Sequence, residues 1–209
     1  MNKLRARSDS EKQVRKDKIL QSAKKVFSLH GYQPTTIKMI TEDARLSPAS
    51  FYLYYESKLE AYRALNLMGI DILEKMITES LGKQSPGAAK RLRAVSGAYF
   101  RFFTEERDLY NIIAINHLGV REFFSDLDMV PVLEGRTKVL LDLVASIIGE
   151  GIKSGEFRKV DPWKTAVTLW GMMDGVLILE VKQSVGYVDA TIEELLRHMM
   201  DLVLKALEA

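Results

Sequence analysis

Residues 31–58 read GYQPTTIKMITEDARLSPASFYLYYESK. Gly31 and Pro34 break helices, and Ile37, Ile40, Thr41 and Ala44 then recur at helical spacing, which predicts a short helix over about 36–44. Ser47-Pro48 places a side-chain oxygen at an N-cap and a proline at the first helical position, opening a third short helix that runs to about Tyr54. Between the two lies a three-residue turn, Arg45-Leu46-Ser47. Two short helices joined in this way form a helix-turn-helix, a unit that stands one small helix in a groove roughly 12 Å wide and braces it with the other.

Within FYLYY, at 100° per residue, Phe51 and Tyr55 share a face and join Phe27, Ile37, Ile40 and Leu46 in a small core. Ala49, Ser50 and Leu53 point the other way, and Tyr52 and Tyr54 flank that outer face. A solvated helix normally carries Lys or Glu outward; a small, uncharged face rimmed by tyrosine hydroxyls suits contact with a nucleic-acid groove and its phosphates.

Working outward, Ile19, Ala23, Val26 and Phe27 predict an amphipathic helix over about 14–30, ended by Gly31. Ser57-x-x-Glu60 is a capping box that opens a long helix with Tyr62, Leu65, Gly69, Ile72 and Met76 along one stripe. Further helices are expected at about 86–104, started by Ser85-Pro86, and at about 107–118, 129–153, 162–183 and 191–207, with breaks at Gly155 and Gly186. The fold class is all-α, about nine helices. An N-terminal helix-turn-helix domain with a basic arm (1–56) precedes a larger helical domain (57–209).

Composition narrows the function. The 209 residues include no cysteine, so disulfides and thiolate metal sites are excluded. The charged N-terminus has no apolar signal segment, and no stretch reaches the ~20 apolar residues of a membrane span, so a soluble cytoplasmic protein with no membrane association is expected. Net charge is +2, unevenly spread: residues 1–63 hold 13 Lys/Arg against 7 Asp/Glu, and residues 64–209 hold 17 against 21. A basic first quarter points to a polyanionic partner. His30, His117 and His198 are far apart, and HExxH, GxSxG and P-loop patterns are missing, so an enzyme is not expected and no cofactor or metal is implied. An all-α enzyme, or a helical interaction module without DNA binding, is the alternative; the second leaves the basic quarter unexplained.

The segment resembles the DNA-binding region of the TetR family of bacterial transcriptional regulators, in ILQSAKKVFSLHGY, TTI, ITEDARLS, FYLYY and ESK over residues 19–60. Three positions depart from the family pattern: Thr41 for a small Ala, Arg45 for the turn Gly, and Ala49 for a common Gly. The resemblance implies a repressor that binds a palindromic operator in double-stranded DNA. It assigns Thr36 and Lys38 to phosphates, Ser47, Ala49, Ser50 and Tyr52 to the major groove, and Tyr54 and Lys58 to phosphates beyond it. Arg45 either strains the turn or adds a phosphate contact.

A palindromic operator asks for a two-fold dimer. The last two helices suit it: Trp163, Ala166, Val167, Trp170, Val176, Leu177, Leu179 and the pair Gly171/Gly175 on one give more apolar or small surface than one face needs, and Ile192, Leu195, Leu196, Met199, Leu202, Val203 and Ala206 form a broad stripe on the other. The middle helices resemble the family's ligand-binding region. There Phe100, Phe103, Tyr110, Ile113, Asn116, His117, Met173 and Asp174 are expected to hold a small apolar or fatty-acyl effector, whose binding releases the DNA.

Overall fold

The structure, a computed structural model, describes residues 2–82, 87–115, 130–181 and 189–209. Among these it is all-helical: α1 (Asn2–His30), α2 (Ile37–Asp43), α3 (Pro48–Tyr52), α4 (Lys58–Gly82), α5 (Ala88–Glu105), α6 (Arg107–Tyr110, continuing as a π turn over Asn111–Ile115), α7 (Val130–Lys153), α8 (Pro162–Val181) and α9 (Ile192–Leu207). The expected starts at Ser85-Pro86, and the segments 116–129 and 182–188 with Gly186, lie outside the described residues.

Two boundaries differ from the sequence reading. α1 begins at Asn2 rather than near residue 14. Its first half lacks an apolar stripe, but it contains no Gly or Pro and is rich in Lys and Arg, so propensity carries the helix upstream. α3 stops at Tyr52, with Leu53 as its C-cap, so Tyr54 lies just beyond the helix.

The chain divides into two compact units, Met1–Gly69 with Glu106–Leu133, and Ile70–Glu105 with Glu134–Ala209. In the first, Ile19, Ala23, Phe27, Ile40, Ala44 and Phe51 are fully buried, and Tyr55 nearly so. Burial of a side chain such as Phe51 contributes about 2–3 kcal/mol. Ile37 and Leu46, expected in this core, are only half-buried. Tyr32 stacks on Phe27 at 5.9 Å, and Tyr62 meets Phe27 edge-on at 5.1 Å. Tyr62 donates its hydroxyl to the Ile112 carbonyl at 3.0 Å, so α4 holds the π turn directly. Burial pushes the Tyr62 phenol well above its ordinary pKa. Gly69 permits this crossing, because a Cβ there would lie 2.2 Å from Ile113 Cδ1.

The second unit packs α9 on α5 and α8 around Leu92, Phe102, Phe103, Met173, Leu177, Leu196 and Met199. Its helix ends are fixed by local chemistry. Thr191 and Glu194 form a reciprocal capping box that holds the Glu194 carboxyl below its ordinary pKa. Asp161 accepts the Lys164 N–H at 3.0 Å and caps α8. Glu156 accepts the N–H groups of Ala88 and Ala89 at 2.7 and 2.8 Å, tying the start of α5 to the segment after α7. Among the described residues no helix is long and apolar enough to cross a membrane.

Candidate nucleic-acid interface and effector region

The helix-turn-helix is built by three nested caps. Gly31, at φ 77°, ends α1 with its N–H on the Phe27 carbonyl at 2.8 Å. Thr36 caps α2 by accepting the Met39 N–H at 3.2 Å, and Ser47 caps α3 by accepting the Ser50 N–H at 3.3 Å. Between them α2 ends in a Schellman motif: the Arg45 N–H donates to the Glu42 carbonyl at 3.0 Å and the Leu46 N–H to the Thr41 carbonyl at 2.8 Å. The left-handed position of that motif is Arg45, at φ 53°, the one non-glycine with positive φ among the described residues. The two outcomes weighed for Arg45 are therefore compatible, since its backbone is strained and its side chain is exposed.

Thr41 replaces a small residue at a fully buried site, and its hydroxyl is satisfied by the Ile37 and Lys38 carbonyls at 3.0 and 3.1 Å. On α3 the expected division holds. Phe51 and Tyr55 are buried, Ala49 is exposed, Ser50 half-buried, Tyr52 59% exposed and Leu53 76% exposed. Tyr52 stands edge-on to Phe51 at 5.7 Å, which props the ring without covering it. Ser47 and Ser50 hydroxyls lie 3.0 Å apart and hydrogen-bond each other. Lys38 is exposed, with Glu42 at 3.8 Å one turn on. Lys25 pairs with Asp43, and that contact, with Ser22 beside it, holds the Asp43 carboxyl below its ordinary range.

Lys58, which the family resemblance assigns to phosphates, donates its ammonium within the chain to the carbonyls of Tyr32 (2.9 Å), Gln33 (3.3 Å) and Thr35 (2.9 Å) and lies 4.2 Å over the Tyr32 ring. An ammonium has three hydrogens, and three carbonyls take them. Lys58 is thus a strut that pins the turn before α2 to the start of α4. Position alone hides this, because the partners lie 23–26 residues upstream. The capping box beside it is also modified: Ser57 accepts the Glu60 N–H at 3.1 Å, while the Glu60 carboxylate reaches past it to the Glu56 N–H.

The expected effector residues are distributed between the two units. Tyr110 is buried and Ile113 half-buried in the first. Phe103 and Met173 are buried in the second, where Phe100 stacks on Phe103 at 6.3 Å. Asp174 is half-buried and accepts the Tyr99 hydroxyl at 2.6 Å, which supplies the partner an inward carboxylate needs. Asn116 and His117 lie outside the described residues. Among the described residues no cluster of His, Cys, Asp or Glu is arranged to hold a metal.

A short capped helix with an open polar-aromatic face, on a braced helix-turn-helix and joined to a larger helical unit, defines a DNA-binding regulator with a ligand-binding domain. Comparison with known proteins agrees. Residues 19–65 match the model for bacterial regulatory proteins of the tetR family, and residues 92–203 match a tetracyclin repressor-like C-terminal domain. The chain belongs to the TetR family of transcriptional regulators. It is 27% identical over 169 residues to the uncharacterized HTH-type transcriptional regulator YfiR of Bacillus subtilis (strain 168), covering 79% of this chain and 80% of that one. Its fold resembles that of FadR from Bacillus subtilis in complex with stearoyl-CoA (TM-score 0.71, 20% identity, 92% of this chain and 97% of that one). It also resembles AibR in complex with isovaleryl coenzyme A and operator DNA (TM-score 0.74, 21% identity, 90% and 97%).

Proposed function

We propose that this chain is a cytoplasmic, non-enzymatic repressor that binds a palindromic operator as a homodimer and releases it on binding an acyl-type apolar effector. The observation that carries the reading is α3. Its Ser47 cap and buried Phe51 and Tyr55 fix the helix, and Ala49, Ser50 and Tyr52 present a small face to the outside. In this role Thr36, Lys38, Arg45 and Tyr54 contact phosphates around that face, and Ser47, Ala49, Ser50 and Tyr52 meet base edges. The helix-turn-helix is followed by the effector and dimerisation part from residue 57 on. The sign of regulation rests on the family resemblance alone.

Dimerisation is proposed through α8 and α9. Gly171 and Gly175 have open space where a Cβ would stand, Met172 and Leu179 are exposed beside them, and Leu202 is 55% exposed on α9. An apolar face with room for close helix approach is what a two-fold helical interface needs. The effector contacts proposed in the second unit are Phe100, Phe103, Met173 and Asp174. The acyl chemistry is suggested by the structural relatives, whose complexes hold stearoyl-CoA and isovaleryl coenzyme A.

Selection from a random-sequence duplex library tests the reading. The wild-type chain should recover a palindrome with half-site centres about 34–36 Å apart. Tyr52→Ala should bind it roughly 10- to 100-fold more weakly, from loss of ~1–3 kcal/mol of base contact, with an unchanged melting temperature. Long-chain acyl-CoA should release the duplex from the wild type. Recovery of no sequence, or wild-type affinity in Tyr52→Ala, contradicts the proposal.

A further inference from the structure

We infer that the N-terminal half of α1 and the end of α3 together form a second phosphodiester-binding groove, which extends each reading head's footprint beyond the bases that α3 faces. This rests on the DNA-binding reading above. The groove is open, about 450 Å³ in volume, with Lys12, Gln13 and Lys16 on one wall and Leu53 and Tyr54 on the other.

Its placement follows from the helix period. Lys12 lies seven residues before Ile19, and Lys16 seven before Ala23, so each pair falls within about 20° on the helix. Ile19 and Ala23 are fully buried. The face of α1 that carries the core therefore continues upstream as lysines, and where the core ends they border the last residues of the recognition segment. Lys16 lies 5.7 Å over the buried Tyr55 ring, which places its exposed ammonium beside the base of α3.

The chemistry fits one occupant. Two ammonium groups, an amide and a phenol offer donors, and Asp17, the carboxylate on the adjoining turn, accepts the Gln13 amide at 2.7 Å. Leu53, 76% exposed, supplies an apolar wall suited to a deoxyribose ring. Leu53 and Tyr54 directly follow Tyr52, so a backbone strand bordering the groove read by α3 passes this site next. A diffuse basic arm gives salt-dependent attraction without position; a groove gives contacts to particular phosphates.

The test uses the full chain and the duplex it selects. Lys12→Gln with Lys16→Gln should lower the slope of log affinity against log salt by about 1.8, so the wild-type advantage changes by roughly tenfold across a fourfold change in salt. Ethylation interference at the outermost phosphates of each half-site should disappear in that variant and persist in Lys12→Arg with Lys16→Arg. Arg15→Gln with Lys18→Gln removes equal charge from positions about 60° and 120° around the helix from Lys12, neither of which lines the groove, and should leave the outer phosphate pattern intact. All these side chains are exposed, so the melting temperature should not move. An unchanged slope in the first variant, or equal loss of outer-phosphate interference in the Arg15/Lys18 variant, overturns the groove. A wild-type chain that binds no duplex removes the DNA-binding reading itself, and the groove with it.

Discussion

Two groups of exposed apolar side chains, at the end of α3 and on α8, sit in opposite company. At the end of α3, Tyr52 and Leu53 are neighboured by serine hydroxyls, Lys12 and Lys16. On α8, Met172 and Leu179 are neighboured by Gly171 and Gly175, with nothing within 4 Å of where their side chains would begin. Exposure alone does not name a partner. A face rimmed by donors and cations complements a polyanion, whereas one of glycine, methionine and leucine without charge at its centre complements another helix. The same physical signal, apolar area left in water, thus carries two proposed functions, and its neighbours separate them.

The largest expected effect is at the helix-facing surface. A Cβ at Gly175 would meet no atom within 4 Å and Gly175→Arg improves helix propensity by up to about 1 kcal/mol, so the fold should survive. A guanidinium at the centre of the proposed interface should leave a monomer at micromolar concentration. Operator affinity should then fall by about 100-fold or more, because two linked reading heads gain that much from avidity. Sedimentation and fluorescence anisotropy read both. A Gly175→Arg dimer with wild-type affinity would move the interface elsewhere and dissolve the contrast between the surfaces.

The next effect separates structure from recognition within the DNA-facing unit. Lys58→Met keeps the length of the side chain and removes the ammonium from three carbonyls, one charge-assisted hydrogen bond being worth about 1.5–3 kcal/mol. With solvent partly replacing it, a loss of roughly 2 kcal/mol in urea denaturation is expected. Tyr52→Ala should show the reverse pattern, weaker binding at constant stability. If Lys58→Met costs affinity but no stability, the phosphate role first assigned to it returns.

Much of this was legible because it is local. Ser47-Pro48, Thr191-x-x-Glu194 and Asp161-Pro162 each set a helix start through contacts three or four residues long, and the structure bears each out. The split of FYLYY into buried Phe51 and Tyr55 and outer Tyr52 followed from period alone. Two things escaped. The early start of α1 has no hydrophobic period to announce it, only propensity. Lys58 finds its partners 23–26 residues back, and a spacing argument has no access to contacts at that separation. The lysine groove lay between: Lys12 and Lys16 continue the stripe of Ile19 and Ala23, a pattern visible once lysine is counted as a continuation of the face.

The smallest expected effect is the most diagnostic of why the two ends of the turn differ. α1 and α2 both end on a left-handed residue, but one is Gly31 and the other Arg45. A side chain at φ 53° costs about 1–2 kcal/mol relative to its ordinary conformation, and glycine avoids most of that while gaining freedom in the unfolded chain. Arg45→Gly should therefore raise stability by about 0.5–1 kcal/mol. If the guanidinium touches a phosphate, the same change should lower the salt slope of operator binding by about 0.9. Stability gained together with slope lost means the strained backbone is retained for the contact it places beside α3. Stability gained with the slope intact means that Arg45 is only tolerated in the turn, and the cationic rim of the DNA face ends with Lys12, Lys16 and Lys38.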